Sequence, residues 1–113
     1  MLIDELQKAH CKPLKGPENR IDAEQIGQYL TALPGWQVGP DRSDIRKLFR
    51  FADFVHALAF VNALGWVAER ENHHPDVELG WGRCLVKFST HDVGGLSMND
   101  FICAAKVQAI AGD

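Results

Sequence analysis

Three of the five histidines in this 113-residue chain fall in one stretch. His73 and His74 are adjacent, preceded by Glu69-Arg70-Glu71-Asn72 and followed by Pro75. His91 closes Ser89-Thr90-His91. Imidazole titrates nearest neutrality of all side chains, so it gives and takes protons at working pH. Three imidazoles around one pocket suit a reaction that moves protons without redox change or a covalent intermediate. A lone histidine after a strand would more often be an ordinary loop residue. A His-His-Pro with a later Ser-Thr-His carries more weight, because loops at strand ends often hold functional groups. A metal site fits less well. Consecutive helical side chains diverge by about 100°, so His73 and His74 could share an ion only if the helix unwinds between them. The helical zinc spacing, with histidines four apart, is absent. No metal ligand set and no cofactor are expected. Neither a nucleophile nor a phosphate loop stands out: Ser89 reads as a strand end, Cys84 as core, and no glycine-rich fingerprint supports nucleotide chemistry.

The elements that must bring these residues together can be read from periodicity. Residues 1–20 read as a partly irregular leader. Leu2, Ile3 and Leu6 make at most a frayed helical turn, and Pro13, Gly16 and Pro17 stop anything longer. His10-Cys11 is the one suggestive pair there, with too few ligands around it for a metal. Asp22 caps a first helix with Ile26, Tyr29, Leu30 and Leu33 at helical spacing, ended by Pro34-Gly35. Trp36 to Val38 is a short strand, Gly39-Pro40-Asp41 a turn, and Ile45 to Phe51 a second strand with Ile45, Phe49 and Phe51 on one face. Ala52 to Asn72 is the longest helix, with Asp53 near its positive end. Phe54, Leu58, Val61, Gly65 and Ala68 form one stripe of it. Val55, Ala59 and Trp66 form another, and Phe60 and Val67 a third. A helix apolar on several faces is covered on several faces, so a homo-oligomer, dimer or tetramer, is expected. Pro75 ends the helix. Val77, Leu79 and Trp81 alternate on a third strand, Gly82-Arg83 makes a two-residue turn, and Cys84, Val86 and Phe88 alternate on a fourth. Asp92 to Leu96 is a loop. Ser97 to Asp100 is a capping box with aspartate in the acidic position, and Phe101 to Ile110 the last helix.

This order predicts an α+β single domain: helix, two strands, helix, two strands, helix. The four strands form one antiparallel sheet with the helices on one face.

Composition is that of a globular domain, with 46% hydrophobic and 24% charged residues. A net charge of −3 without a basic block argues against a nucleic-acid surface. No stretch approaches a membrane span. Three widely spaced cysteines without a CxxC, and an N-terminus without the apolar run of a signal peptide, fit a reducing cytoplasm better than an oxidising compartment.

Taken together, Glu69-x-x-Asn72-His73-His74-Pro75, Ser89-Thr90-His91 and Gly95-Leu96-Ser97-x-x-Asp100 resemble the pterin-4a-carbinolamine dehydratases. The resemblance runs from about Ile21 to the C-terminus and includes Gly35-Trp36 and Phe51-x-Asp53-Phe54. The leader lies outside it and is similar to Cys-containing leaders of bacterial members. The resemblance implies residues 21–113 as the dehydratase-like domain and dehydration of 4a-hydroxytetrahydrobiopterin to quinonoid dihydrobiopterin, with no metal or redox cofactor. That step recycles the pterin of aromatic amino-acid hydroxylases, the implied functional partners. His73 and His91 would be the acid–base groups, and His74 would hold and polarise the substrate. Asn72, Ser89 and Thr90 would contact the pterin ring. Trp36 is a candidate aromatic wall, or equally a core tryptophan at a strand start. Many members have aspartate in place of Asn72 and Glu-Trp in place of Asp76-Val77. An amide at 72 could hydrogen-bond His73 but not balance a charge on it. Two other readings belong to the same resemblance: a binding module that acts in dimerisation or coactivation, and a relative acting on a folate- or molybdopterin-type pterin.

Overall fold

A computed structural model describes residues 2–112. Four helices and four strands follow in chain order: α1 (Leu2–Lys8), α2 (Ala23–Thr31), β1 (Gln37–Val38), β2 (Ile45–Arg50), α3 (Phe54–Glu71), β3 (Asp76–Gly80), β4 (Arg83–Phe88) and α4 (Met98–Ala111). Single 3-10 turns lie at Pro17–Asn19 and His91–Val93.

The sheet is wholly antiparallel, in the order β1-β2-β4-β3. Two hairpins are joined through their inner strands, so β2 and β4 share a six-residue register from Ile45↔Phe88 to Arg50↔Arg83. Side chains alternate across a strand. Ile45, Phe49, Cys84, Val86 and Phe88 therefore enter the core together, with Val77 and Leu79 beside them on β3. The opposite face carries Arg46, Leu48, Arg50, Arg83 and Lys87, with a Lys87–Glu78 ion pair at 3.1 Å. Helices α3 and α4 pack against the apolar face. The α+β architecture expected from periodicity is the one observed.

Four details differ from the sequence reading. The β3–β4 turn is Trp81-Gly82, because Gly80 pairs with Arg83; Gly82 takes the positive φ of 67° at the second turn position. Trp81 is therefore an exposed turn residue. On α3 the buried stripe is Ala57, Phe60, Leu64, Ala68 and Glu71. Phe54, Leu58 and Val55 lie on the outer side, Val55 and Trp66 with 70% and 73% of their surface exposed. Third, α4 begins at Met98, directly after its Ser97 cap.

The fourth detail is the leader. Its first residues form α1, which lies along α4. Leu6 is buried, Gln7 Nε2 donates to the Ala105 carbonyl at 3.3 Å, and Lys106 Nζ donates to the Gln7 carbonyl at 2.7 Å. A seven-residue helix is unstable in isolation, which is why local pattern reads it as frayed. Packing on α4 supplies what propensity does not.

Glu71, at the end of the buried α3 stripe, holds the segment after α1. Its carboxylate accepts the Cys11 N–H at 2.7 Å and His10 Nδ1 at 2.9 Å, with Lys106 Nζ 3.8 Å away. Burial by itself pushes this carboxyl up. The bonds from Cys11 and His10, with Lys106 nearby, outweigh it and hold the group below the usual 4.5. A carboxyl with a lowered folded-state pKa stabilises fully above its unfolded pKa, and that contribution is lost as the pH falls through the folded value. The leader is therefore expected to loosen below about pH 4.5, ahead of the sheet. Amide exchange of Leu2–Lys12 against pH checks this. In Glu71→Gln the segment should exchange faster at neutral pH and lose its acid-dependent step.

Candidate functional site

The geometry of the site follows from how α3 ends. Asn72 is left-handed, at φ 51° and ψ 43°, a conformation that asparagine tolerates better than most residues. The Asn72 N–H returns to the Glu69 carbonyl and the His73 N–H to the Ala68 carbonyl, at 3.3 and 3.1 Å. These two bonds are a Schellman closure, which reverses the chain at the helix end. Both histidines thus lie beyond the helix and the 100° helical divergence does not apply to them. His73 turns inward and His74 outward.

His73 is 12% exposed by side chain, and its ring stacks on Phe88 with centroids 6.0 Å apart and planes at 12°. Its Nε2 lies 2.6 Å from Asp100 Oδ1. Asp100 is fully buried at the start of α4. Its Oδ2 accepts the Thr90 hydroxyl at 2.8 Å and the Ser97 N–H at 2.9 Å. The Thr90 hydroxyl has one hydrogen and gives it to Asp100, so Ser97 Oγ, 2.8 Å away, donates to Thr90. The capping box read from Ser97 to Asp100 is present, and its carboxylate does two things. One oxygen caps a helix while the other fixes an imidazole. With Nε2–H donated to Asp100, Nδ1 is the ring nitrogen left for a substrate.

His74 is 53% exposed and its Nε2 lies 2.7 Å from Glu69 Oε1. His91 is exposed at the first position of the 3-10 turn after β4. That turn is closed by Thr90 and Gly95 bonding in both directions, with Gly94 left-handed between them. The three imidazoles border one recess of about 290 Å³, lined by Asn72, His73, His74, Ser89, Thr90, His91 and Asp92. Six of the seven are residues singled out from sequence. A neighbouring cavity of about 360 Å³ shares Asn72, His73, Thr90 and Asp92, and is walled on its far side by leader residues Cys11 to Leu14.

One expectation needs correction. Of the two readings of Trp36, the aromatic wall does not hold, because Trp36 is not at the recess, and the core tryptophan does. It is buried in the core against Phe49 and Phe88, and its indole N–H donates to Gln108 Oε1 at 3.1 Å. The inner face of the sheet carries Phe49 and Phe88, and a tryptophan entering β1 packs against them. Asn72 borders the recess. Its backbone conformation closes the helix, and the group bonded to His73 Nε2 is the Asp100 carboxylate rather than the Asn72 amide. Thr90 lines the recess, but its hydroxyl is committed to Asp100. Sequence reasoning missed Asp100 as an orienting group and Asp92 as a lining residue. The one available signal was aspartate at the acidic position of the capping box. Val77 packs against the core from β3. Among the described residues, no group of three His, Cys, Asp or Glu side chains is arranged to hold a metal ion. No described helix is long and apolar enough to cross a membrane.

A four-stranded antiparallel sheet backed by helices on one face is a fold shared with solved pterin dehydratases. A solved transcriptional coactivator/pterin dehydratase from Brucella melitensis superposes with a TM-score of 0.80 at 35% identity, over 83% of this chain and all of that one. A pterin dehydratase-like RuBisCO assembly factor of the alpha-carboxysome shares the fold, with a TM-score of 0.60 at 24% identity over 70% of this chain and 92% of that one. The family model for pterin 4 alpha carbinolamine dehydratase matches residues 19–110, and the chain belongs to that family. Relatives named provisionally as pterin-4-alpha-carbinolamine dehydratase include one from Xanthomonas campestris pv. campestris strain 8004, 51% identical over 90% of this chain and 86% of its own. Another, from Xanthomonas oryzae pv. oryzae strain MAFF 311018, is 50% identical over 89% and 86%.

Proposed function

We propose that this protein dehydrates 4a-hydroxytetrahydrobiopterin to quinonoid dihydrobiopterin and water, and so recycles the pterin of an aromatic amino-acid hydroxylase in the cytoplasm. The observation that carries the proposal is the recess where three imidazoles meet beside a buried carboxylate. A carbinolamine loses water readily once its hydroxyl is protonated, and the product forms when N5 gives up its proton. His91, exposed at the mouth, delivers the proton to the departing hydroxyl. His73 takes the N5 proton on Nδ1, while Asp100 balances the charge that arrives on the ring. His74, paired with Glu69, binds and polarises the pterin. Asn72 and Ser89 border the ring. No step requires a metal or redox cofactor.

The test follows the decay of freshly generated 4a-hydroxytetrahydropterin by ultraviolet absorbance. Wild-type protein should accelerate it, and treatment with a chelator should leave the acceleration intact. In His74→Ala it should fall by roughly 10–100-fold, the worth of one hydrogen bond involving a charged group. An intact fold without acceleration for biopterin, but with acceleration for a folate- or molybdopterin-type adduct, would move the assignment to that pterin.

Val55, Leu58 and Trp66 form an apolar stripe on the outer side of α3. Large exposed apolar patches mark interaction surfaces, and a second copy of this chain is the proposed cover. Trp66→Glu is expected to shift sedimentation from a dimer or tetramer towards the monomer. The same stripe supports a second reading, a dimerisation or coactivator module with little turnover. A stable complex with a foreign protein, together with pterin binding and no dehydration, would favour that reading.

A further inference from the structure

Cys11 and Cys103 lie 92 positions apart in sequence, and their Sγ atoms are 3.4 Å apart. The approach is built by two buried polar side chains that grip the backbone around Cys11. Glu71 takes the Cys11 N–H at 2.7 Å. Asn99 takes the Lys12 N–H on Oδ1 at 3.2 Å and gives Nδ2–H to the Lys12 carbonyl at 2.8 Å. Asn99 and Cys103 are one helical turn apart on α4, so they share a face. The side chain that grips residue 12 therefore sets residue 11 over Cys103. Cys11 is half-buried and lines the 360 Å³ cavity; Cys103 is fully buried beneath it. Cys84, the third cysteine, is buried in β4 on the inner face of the sheet, and burial pushes its thiol up to about 11.

We propose that Cys11 and Cys103 are a redox-active dithiol, a modification site that exchanges with low-molecular-weight disulfides and closes a covalent staple between the leader and α4. Cys11 is the attacking group because an oxidant reaches it first through the cavity. Its thiolate attacks one sulfur of a disulfide RS–SR, forming Cys11–S–S–R and releasing one RS⁻. Cys103 then attacks the Cys11 sulfur as its proton passes to the departing second sulfur, which leaves as RSH. Two electrons pass from the protein to RS–SR, one S–S bond is broken and one formed, and the two protons end on two RSH. Closure needs the sulfurs to move about 1.4 Å nearer, to the S–S length of ~2.05 Å. Cys11 and the residues after it wall the cavity beside His73. The staple thus fixes one wall next to the histidine recess and leaves the recess residues untouched.

The test incubates the reduced full-length chain with oxidised glutathione, alkylates free thiols and measures intact mass. Expected are loss of two of the three thiols, a disulfide-linked pair of peptides containing Cys11 and Cys103, and unchanged behaviour in Cys84→Ser. In Cys103→Ser the reaction should stop with one glutathione on Cys11, and in Cys11→Ser the thiol of Cys103 should stay reduced. Closing a loop of this length should raise the melting temperature of the oxidised wild type by about 5 °C or more. Retention of all three thiols, glutathione held on Cys11 of the wild type without closure, or a cross-link only between chains would each overturn the proposal. These readouts do not depend on dehydratase turnover.

Discussion

Replacing His73 by alanine is expected to cut dehydration of a 4a-hydroxytetrahydropterin by about 10²–10⁴-fold, which is about 3–5 kcal/mol of barrier. No other imidazole can take over its position. His73 is the histidine seated on Phe88, and its Nε2 is held by a buried carboxylate. The two other histidines of the recess are more exposed. Alanine also leaves a gap beside Phe88 and deprives Asp100 Oδ1 of its donor, so lost activity could reflect lost structure. His73→Gln separates the two effects. The glutamine amide reaches the place of Nε2, keeps an N–H for Asp100 and fills most of the ring volume, yet it cannot carry a proton. Both variants should lose kcat alike, while His73→Gln keeps a melting temperature near wild type and still binds a dihydropterin. Full activity in His73→Gln would remove His73 from the proton transfer and leave His91 and His74 to account for it.

The parts of this site that were legible in sequence are those that local chemistry specifies. The paired histidines before Pro75, the strand ending at Ser89 and the cap at Ser97 each carry their own signal. Convergence was legible only as a possibility, since it depends on the left-handed Asn72 and on the β2–β4 register. Helical phase on α3 was the weakest reading. Periodicity puts Phe54 and Leu58 in one stripe with Ala68 and Phe60 on a side line, whereas packing buries Ala57, Phe60, Leu64 and Ala68. A helix apolar all round has no phase of its own, and the sheet decides which face it takes. For α1 and Trp36 the deciding partners, α4 and the inner face of the sheet, are remote in the chain. No local pattern reports them. Glu71 shows the same blindness from the polar side. It reads as one charge among several at a helix end, yet it is the buried anchor of the leader.

Asp100 joins the start of α4 to His73, and its replacement by asparagine is the second large effect expected. The carboxylate accepts from three donors at once: His73 on Oδ1, and Thr90 and Ser97 on Oδ2. An amide has one accepting oxygen. If that oxygen stays with Thr90 and Ser97, the amide NH₂ confronts His73. The ring must then accept on Nε2 and carry its proton on Nδ1, the wrong tautomer for a base. If the oxygen turns to His73 instead, two buried donors lose their acceptor, at about 1–3 kcal/mol, and the start of α4 loses its cap. The first arrangement leaves the helix sound, so it should prevail. kcat should then drop about 10²-fold or more, as expected when a general base is held in the wrong tautomer. Pterin affinity should change little, because the groups that border the ring are untouched. The melting temperature should fall by no more than several degrees. A large fall in melting temperature with kcat preserved would show the second arrangement and make Asp100 a capping residue alone. A fall in kcat with binding and fold retained would assign it to orienting His73. The capping box would then be what fixes the tautomer of the imidazole, and a helix-start motif readable in sequence would carry part of the chemistry.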